Sequence, residues 1–471
     1  MNVVPQYPRG FFIASDPQRV PNGFTRVGDM PNLYAHEWAD VSVARSADTF
    51  VTIIGECVAV VPSIEGSVAE HLLTLLVQGE AQFFDALSLL SGRYVIIFGT
   101  GERLQILNDA TGMRSVFYSE GFEVVASHAR LVEELLGGKI ELRRKWFSRG
   151  FPGNWLPFKR TRILTPNTFL DVSKGTVTRF WPLKELETST VEDEIPTVLD
   201  AASIAIRNLS SAHPVKLTLT AGADSRVILA CALHSGVAFD TYTYGATYKT
   251  ARDRALAADL SKLADVSHTV PPGDFLEREL RVEIGRANYT KHHWNYVQGL
   301  MEWIDNPDTV VLMGLMLEIG RGVTAVNLPD AAAPVDGRSM AELHYQTMPS
   351  KVRKKIENGV GREEYLRFST AAFSDWLATI GGFEAEFLNP FVQFYWEHRM
   401  PTWLGPTMAE RDFYGAPVSP FNCRMILESM LSVSFAEQES GAIPFGVIER
   451  AAPELLQLPV NPPKWPDDLK K

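Results

Sequence analysis

Leu217-Thr-Leu-Thr220-Ala221-Gly222-Ala223-Asp224-Ser225-Arg226-Val-Ile-Leu-Ala230 is the stretch on which the fold turns. A β-type run delivers two small residues, Ala221 and Gly222, into a tight turn, and a helix begins near Ser225. Small residues let a backbone approach a polyanion closely. The N–H groups of such a turn and the positive end of the helix dipole then face phosphates, with the Thr220 and Ser225 hydroxyls as further donors. Asp224 cannot touch phosphate without repulsion, so its natural task is to hold Mg²⁺. Arg226 offers a bidentate clamp. The same turn also reads as an ordinary strand-to-helix connection with Asp224 as its N-cap.

Outward from this turn the text alternates. A helix over about 194–210 precedes the strand at Val215, and the strand Phe239-Asp-Thr-Tyr-Thr-Tyr244 follows. The helix 253–264, with Leu256, Leu260 and Leu263 on one face, leads to the strand Ser267-His-Thr-Val270. Strand, helix, strand, helix, strand is the pattern of a parallel α/β sheet. Beyond residue 280 the chain reads as helical, apart from the buried-strand candidate Thr309-Val-Val-Leu-Met313.

The first half has a different texture. Thr49-Phe-Val-Thr-Ile-Ile-Gly55, Arg93-Tyr-Val-Ile-Ile-Phe-Gly99, Leu104-Gln-Ile-Leu107 and Phe122-Glu-Val-Val125 are half-buried strands separated by turns, with helices at 67–90 and 129–136. That is an α+β half built on an antiparallel meander. A polar run from Leu183 separates the two textures, which gives domains over 1–185 and 190–471.

Length, charge and cysteine content bound the rest. A chain of 471 residues holds two or three domains of ordinary size, and 45 Lys plus Arg against 56 Asp plus Glu leaves a net charge of −11. That balance disfavours nucleic acid as a partner. Cys57, Cys231 and Cys423 are far apart and form no CxxC, which excludes a disulfide framework and a zinc finger and fits a reducing, cytoplasmic setting. Neither a signal peptide nor a bilayer-spanning stretch is expected.

Thr220-Ala-Gly-Ala-Asp-Ser225 resembles the S-G-G-x-D-S pyrophosphate loop of ATP pyrophosphatases, and more specifically that of the asparagine synthetase family. Tyr242-Thr-Tyr244-Gly245 is similar to the family's second strand and its adenosine-side glycine. Val311-Leu-Met-Gly314-Leu-Met-Leu-Glu318-Ile-Gly320 resembles its G-x-G-x-D-E-x-x-x-G segment, and Met408 to Arg424 its late helix and V-P-F-L-D segment. Asp109-Ala-Thr-Gly112-Met-Arg-Ser-Val-Phe-Tyr118 and Ala126-Ser127-His128 look like parts of its glutaminase-type N-terminal domain, which implies an α+β antiparallel sandwich.

This resemblance implies an ATP- and Mg²⁺-dependent ligase that adenylates a carboxylate, releases pyrophosphate and passes the acyl group to an amine. The implied nucleotide site is Leu219, Thr220, Gly222, Ala223, Asp224, Ser225, Arg226, Tyr244, Gly245 and Gly314, with Asp224 and Glu318 on the metal and Arg424 and Lys464 stabilising the departing pyrophosphate. Arg321 is a third candidate for that last role.

Two departures modify the expectation. The family's glutaminase uses a cysteine directly after the initiator methionine, and here Asn2 follows Met1, so glutamine hydrolysis is not expected and the N-terminal domain reads as degenerate. Another amine would be the nucleophile, as in β-lactam synthetases and lasso-peptide cyclases. The second departure is Leu315, which stands where relatives carry a proton acceptor; Tyr296, Glu302, His292 and His293 are the nearby replacements. The expected partner is a small molecule or peptide bearing a carboxylate and an amine, with a second copy or a pathway protein beside it. A catalytically silent nucleotide-binding relative is the alternative, and a tRNA-modifying pyrophosphatase fits the acidic chain poorly.

Overall fold

The computed structural model describes residues 4–461, apart from 18, 29, 31, 63, 144–149, 246–249, 274, 291–293, 322–334 and 385. Two six-stranded antiparallel sheets occupy the first half. One runs in the order Thr161–Ile163, Phe117–Ser119, Val124–Ala126, Phe11–Ala14, Leu33–His36, Phe24–Arg26, and the other in the order Thr176–Arg179, Thr168–Asp171, Arg103–Asn108, Leu90–Thr100, Thr49–Ala59, Val41–Ser46.

Alternation along the strands explains the layering. In Leu90–Thr100, Val95 and Ile97 face a core shared with Phe11, Ile13 and Val125 of the other sheet, while Ile96 and Phe98 face Leu72 and Phe83 of the helices Val68–Gln78 and Glu80–Ala86. Successive side chains point to opposite faces, so the apolar run Tyr94–Phe98 must be covered on both sides. On the outside of the other sheet the helix Ala129–Leu136 covers Phe12, Phe117 and Val124. The result is helix, sheet, sheet, helix, an antiparallel sandwich covered on both faces. The single helix expected over 67–90 is divided: Gly79 takes an extended conformation between the two helices, and the strand begins at Leu90.

Irregular backbone through the polar 183–190 run leads to the helix Val191–Ser210, capped by the Thr190 hydroxyl accepting from the Asp193 N–H. Its buried Val198, Ala202, Ala205 and Leu209 recur at helical spacing. The five strands of the second half are all parallel, in the order His268–Thr269, Asp240–Tyr242, Val215–Thr218, Val310–Leu312, Ala416–Val418. Chain order therefore reverses between Val215–Thr218 and Val310–Leu312. In open α/β sheets ligands bind in the crevice outside the carboxyl ends of the strands at such a switch point. Both segments singled out for chemistry, 219–226 and 314–320, leave the sheet there.

Buried polar contacts join the halves. Arg93 grips Asp412 with two hydrogen bonds of 2.5 and 2.9 Å, and Asn422 donates to the Gly92 carbonyl at 2.7 Å. Arg179 pairs with Glu397 at 2.7 and 2.9 Å. Among the described residues no helix is long and apolar enough to cross a membrane.

Candidate functional site

The loop after Val215–Thr218 is braced from within. The Ser225 hydroxyl lies 2.9 Å from the Thr220 carbonyl and 3.1 Å from that of Gly222, and it accepts from the Thr220 N–H at 3.2 Å. Thr220 Oγ1 lies 3.1 Å from Ser225 Oγ and accepts the Gly222 N–H at 3.3 Å. These two hydroxyls were expected to meet phosphate; they hold the turn instead. From the helix Ala251–Leu263, Asp253 accepts the Ala221 N–H at 3.4 Å.

The helix begins at Ala223, with Gly222 as its N-cap, so no side chain caps its first turn. Asp224 lies within that turn rather than ahead of it, which removes the N-cap reading of Asp224. The N–H groups of Ala223, Asp224 and Ser225 precede the first residue able to bond back along the helix, and they point outward at the positive end of the dipole.

Gly314 shows why this position has no side chain. A Cβ there would lie 2.3 Å from the Asp224 carbonyl oxygen and 3.1 Å from the Ser225 nitrogen. The turn after Val310–Leu312 thus lies flush against the loop. Two residues on, Met316 adopts φ +77°, a left-handed conformation uncommon for a side chain of its size, and the short helix Leu317–Gly320 starts from it. Strained backbone of this kind persists where the surroundings over-determine it.

That turn brings Glu318 and Arg321 to Asp224. Arg321 Nη2 donates to Asp224 Oδ2 at 2.9 Å. Burial pushes the Asp224 carboxyl above its ordinary value, and Arg321 opposes the rise. Glu318 is pushed up to about 7, first by burial and then by the Asp224 charge. Two carboxylates that resist ionising together mark a place where positive charge belongs. Asp224 Oδ1 and Glu318 Oε2 are both buried without a hydrogen-bond partner among the described residues.

Hard divalent cations take oxygen ligands, and Mg²⁺ is commonly held by one or two carboxylates plus phosphates and water. The pair fits that donor set. Among the described residues no group of three or more His, Cys, Asp or Glu could hold a metal, so further ligands would come from phosphate and solvent. Tyr395, at the start of the π-helical run Tyr395–Leu404, senses the same charges: burial and then Glu318 raise its phenol above the ordinary value. Its place at the site has no local sequence motif to announce it.

Several of the expected site residues are engaged elsewhere or lie outside the described residues. Arg226 is fully buried, and its guanidinium donates to the carbonyls of Ala221, Leu455, Leu458 and Pro459 at 2.6–3.2 Å, so it is no phosphate clamp. Leu219 has its N–H on the Tyr242 carbonyl at 2.9 Å and its own carbonyl on Thr243 Oγ1 at 2.6 Å. Arg424 is buried against the first half, donating to Asn167 Oδ1 at 2.8 Å beside the Phe180 ring, and it is not turned to the loop. Glu302 is exposed on the helix Val297–Ile304. Lys464, His292 and His293 lie outside the described residues.

Tyr244 and Gly245 do leave the carboxyl end of Asp240–Tyr242, on the same side as the loop. Gly245 has φ +110°, and Tyr244 packs on Tyr296 with ring centroids 5.3 Å apart. Those two rings line a small cavity with Val297, Leu300, Glu410, Arg411 and Tyr414. The cysteines are unsuited to nucleophilic chemistry. Burial pushes the Cys423 thiol up to about 12 and raises those of Cys57 and Cys231 as well.

Fold and loop together define a doubly wound α/β protein with a carboxylate pair at its switch point, preceded by an antiparallel sandwich. No protein-family model matches the chain, and no curated protein does. Among solved structures it is similar to NMN synthetase from Francisella tularensis, at 14% identity over 44% of this chain and 93% of that one, with a TM-score of 0.21. It is also similar to glutamine phosphoribosylpyrophosphate amidotransferase from B. subtilis, at 12% identity over 82% and 91%, TM-score 0.23. A third likeness is to glutamine-dependent NAD⁺ synthetase from Acinetobacter baumannii, at 15% identity over 45% of this chain and 52% of that one, TM-score 0.20. All three likenesses are distant.

Proposed function

We propose that the chain is an ATP-dependent ligase that joins a carboxylate to an amine through an acyl-adenylate. The observation that carries this reading is the pair of orphaned oxygens, Asp224 Oδ1 and Glu318 Oε2, beside the uncapped first turn at Ala223–Ser225. In this reading the first-turn N–H groups bind the β- and γ-phosphates, and Asp224 and Glu318 hold Mg²⁺, which when bound neutralises the phosphate charge. A substrate carboxylate oxygen attacks the α-phosphorus, the bond to the bridging oxygen breaks, and pyrophosphate leaves. The amine then attacks the acyl carbon, AMP departs, and the amine proton passes to solvent or a base. Positioning and charge neutralisation supply most of such catalysis.

Purified protein given ATP, Mg²⁺ and a library of carboxylates and amines should form AMP and pyrophosphate in equal amounts. ADP as the nucleotide product would overturn the mechanism. One observation favours a second reading, nucleotide binding without ligation. Leu315, whose apolar side chain packs partly buried against the core, stands where the resemblance places a proton acceptor. Binding of ATP and Mg²⁺ by calorimetry, with no pyrophosphate formed from any acid in the library, would favour that reading.

A further inference from the structure

Arg226 ties the pyrophosphate loop to a segment more than 200 residues away in sequence. Its Nη1 donates to the carbonyls of Leu455 and Leu458, each at 2.7 Å, and its Nη2 donates to those of Pro459 at 2.6 Å and Ala221 at 3.2 Å. The Asn461 N–H adds a bond to the same Ala221 carbonyl at 3.3 Å. A Cβ on Gly222 would come 3.3 Å from Asn461 Oδ1, so the two segments lie in contact. Leu455 is fully buried in the main core, which anchors the far end of the segment.

A guanidinium buried without a carboxylate is costly, and this one is kept by carbonyl dipoles drawn from two segments at once. A strand-to-helix turn alone needs no such tie. We infer that residues 455–461 form a strap that Arg226 buckles onto the loop, making Arg226 a positioning residue for nucleotide binding. The strap holds Ala221 and Gly222, and through them the first-turn N–H groups and the Asp224 carboxylate, in place before the ligand arrives. This inference rests on the reading of the loop as a nucleotide site. Its structural half, the coupling of strap to loop, can be measured without nucleotide.

Two full-length variants test it. Arg226→Lys keeps the charge but cannot feed four carbonyls, and Asn461→Pro removes the strap's own N–H and forbids its φ of +44° without touching Arg226. In both, the hydrogen-bonded amides of Thr220, Ala221 and Gly222 in the loop and of Leu455 in the strap should exchange hydrogen faster together, by about tenfold for Arg226→Lys and less for Asn461→Pro. Amides of the distant helix Ala129–Leu136 should keep wild-type rates. The Kd for ATP with Mg²⁺ should rise about tenfold in Arg226→Lys, although no group proposed to touch nucleotide has changed.

Faster exchange confined to the strap, with loop exchange and Kd at wild-type values, would overturn the positioning role. Wild-type exchange in both segments of both variants would overturn the strap itself. Should the unaltered protein bind no ATP, the reading of the site falls, and the exchange comparison still decides whether Arg226 couples strap to loop.

Discussion

Arg321 holds one oxygen of Asp224, donating from Nη2 to Oδ2 at 2.9 Å, while the other oxygen, Oδ1, is buried and without a hydrogen-bond partner among the described residues. A carboxylate split in this way is oriented by its cation and still has a ligand position to offer. Asp224→Ala removes that position and leaves Arg321 half-buried without its anion. Pyrophosphate formation should fall by about 10²–10³-fold. Asp224→Asn keeps the shape and a hydrogen-bond acceptor for Arg321, yet loses the charge, and should fall nearly as far. A steady-state pyrophosphate assay across the three proteins checks this, and activity in Asp224→Asn near the wild-type level would refute the metal role.

Glu318 gives the site a pH signature. Its folded pKa of about 7 lies above the ordinary 4.5, so between those values the native state binds more protons than the unfolded state. Stability contributed by the neutral form is full below the lower value and is lost as pH rises through the upper one, by at most roughly 3 kcal/mol. Glu318→Gln should therefore flatten urea-unfolding stability between pH 5 and about 7.5 and be more stable than the wild type at about pH 8. Cation binding must ionise the same carboxyl. At pH 7, titration with ATP and Mg²⁺ in two buffers of different ionisation enthalpy should show about half a proton more released by the wild type than by Glu318→Gln.

The loop and the parallel sheet were legible because each depends on local chemistry: small residues at a tight turn and β-type runs. Glu318 was linked to Asp224 only through the family resemblance. The arginines were not. Arg226 and Arg424 stand where a phosphate ligand was expected, and both donate to backbone or amide oxygens instead. A guanidinium fork serves a carbonyl as readily as a phosphate, and only the tertiary fold decides which one is in reach. Arg321 meets Asp224 for the same non-local reason, through the left-handed turn at Met316. Tyr395 arrives from a helix after residue 390, with nothing nearby in sequence to mark it.

Gly314 tests how closely the two switch-point segments must approach. A methyl group there meets the Asp224 carbonyl at 2.3 Å, a backbone atom that cannot swing aside. Gly314→Ala should displace the loop, at a cost of about 1–3 kcal/mol in urea unfolding, and weaken binding of ATP and Mg²⁺ more than it lowers global stability. Calorimetric titration beside an unfolding curve separates the two effects. An alanine variant that binds as the wild type does would mean the loop is not held by this contact.

Asp412 carries the junction between the halves. It receives two hydrogen bonds from Arg93, and Arg114 lies 3.7 Å away, all three side chains being almost fully buried. Burial alone would push its carboxyl up, but Arg93 and then Arg114 outweigh it and hold the group below the ordinary carboxylate range. Its contribution is therefore present above the unfolded carboxyl value and is lost as pH falls through the lower folded one. Asp412→Asn leaves two buried guanidiniums without the carboxylate between them, which costs about 3–5 kcal/mol by the usual penalty for breaking a buried ion pair. Because Arg93 lies in the antiparallel half and Asp412 in the parallel half, the loss should fall on their association. The wild type should then unfold in one transition and Asp412→Asn in two separate ones. A single transition shifted by less than about 1 kcal/mol would show that the pair is not what holds the halves together.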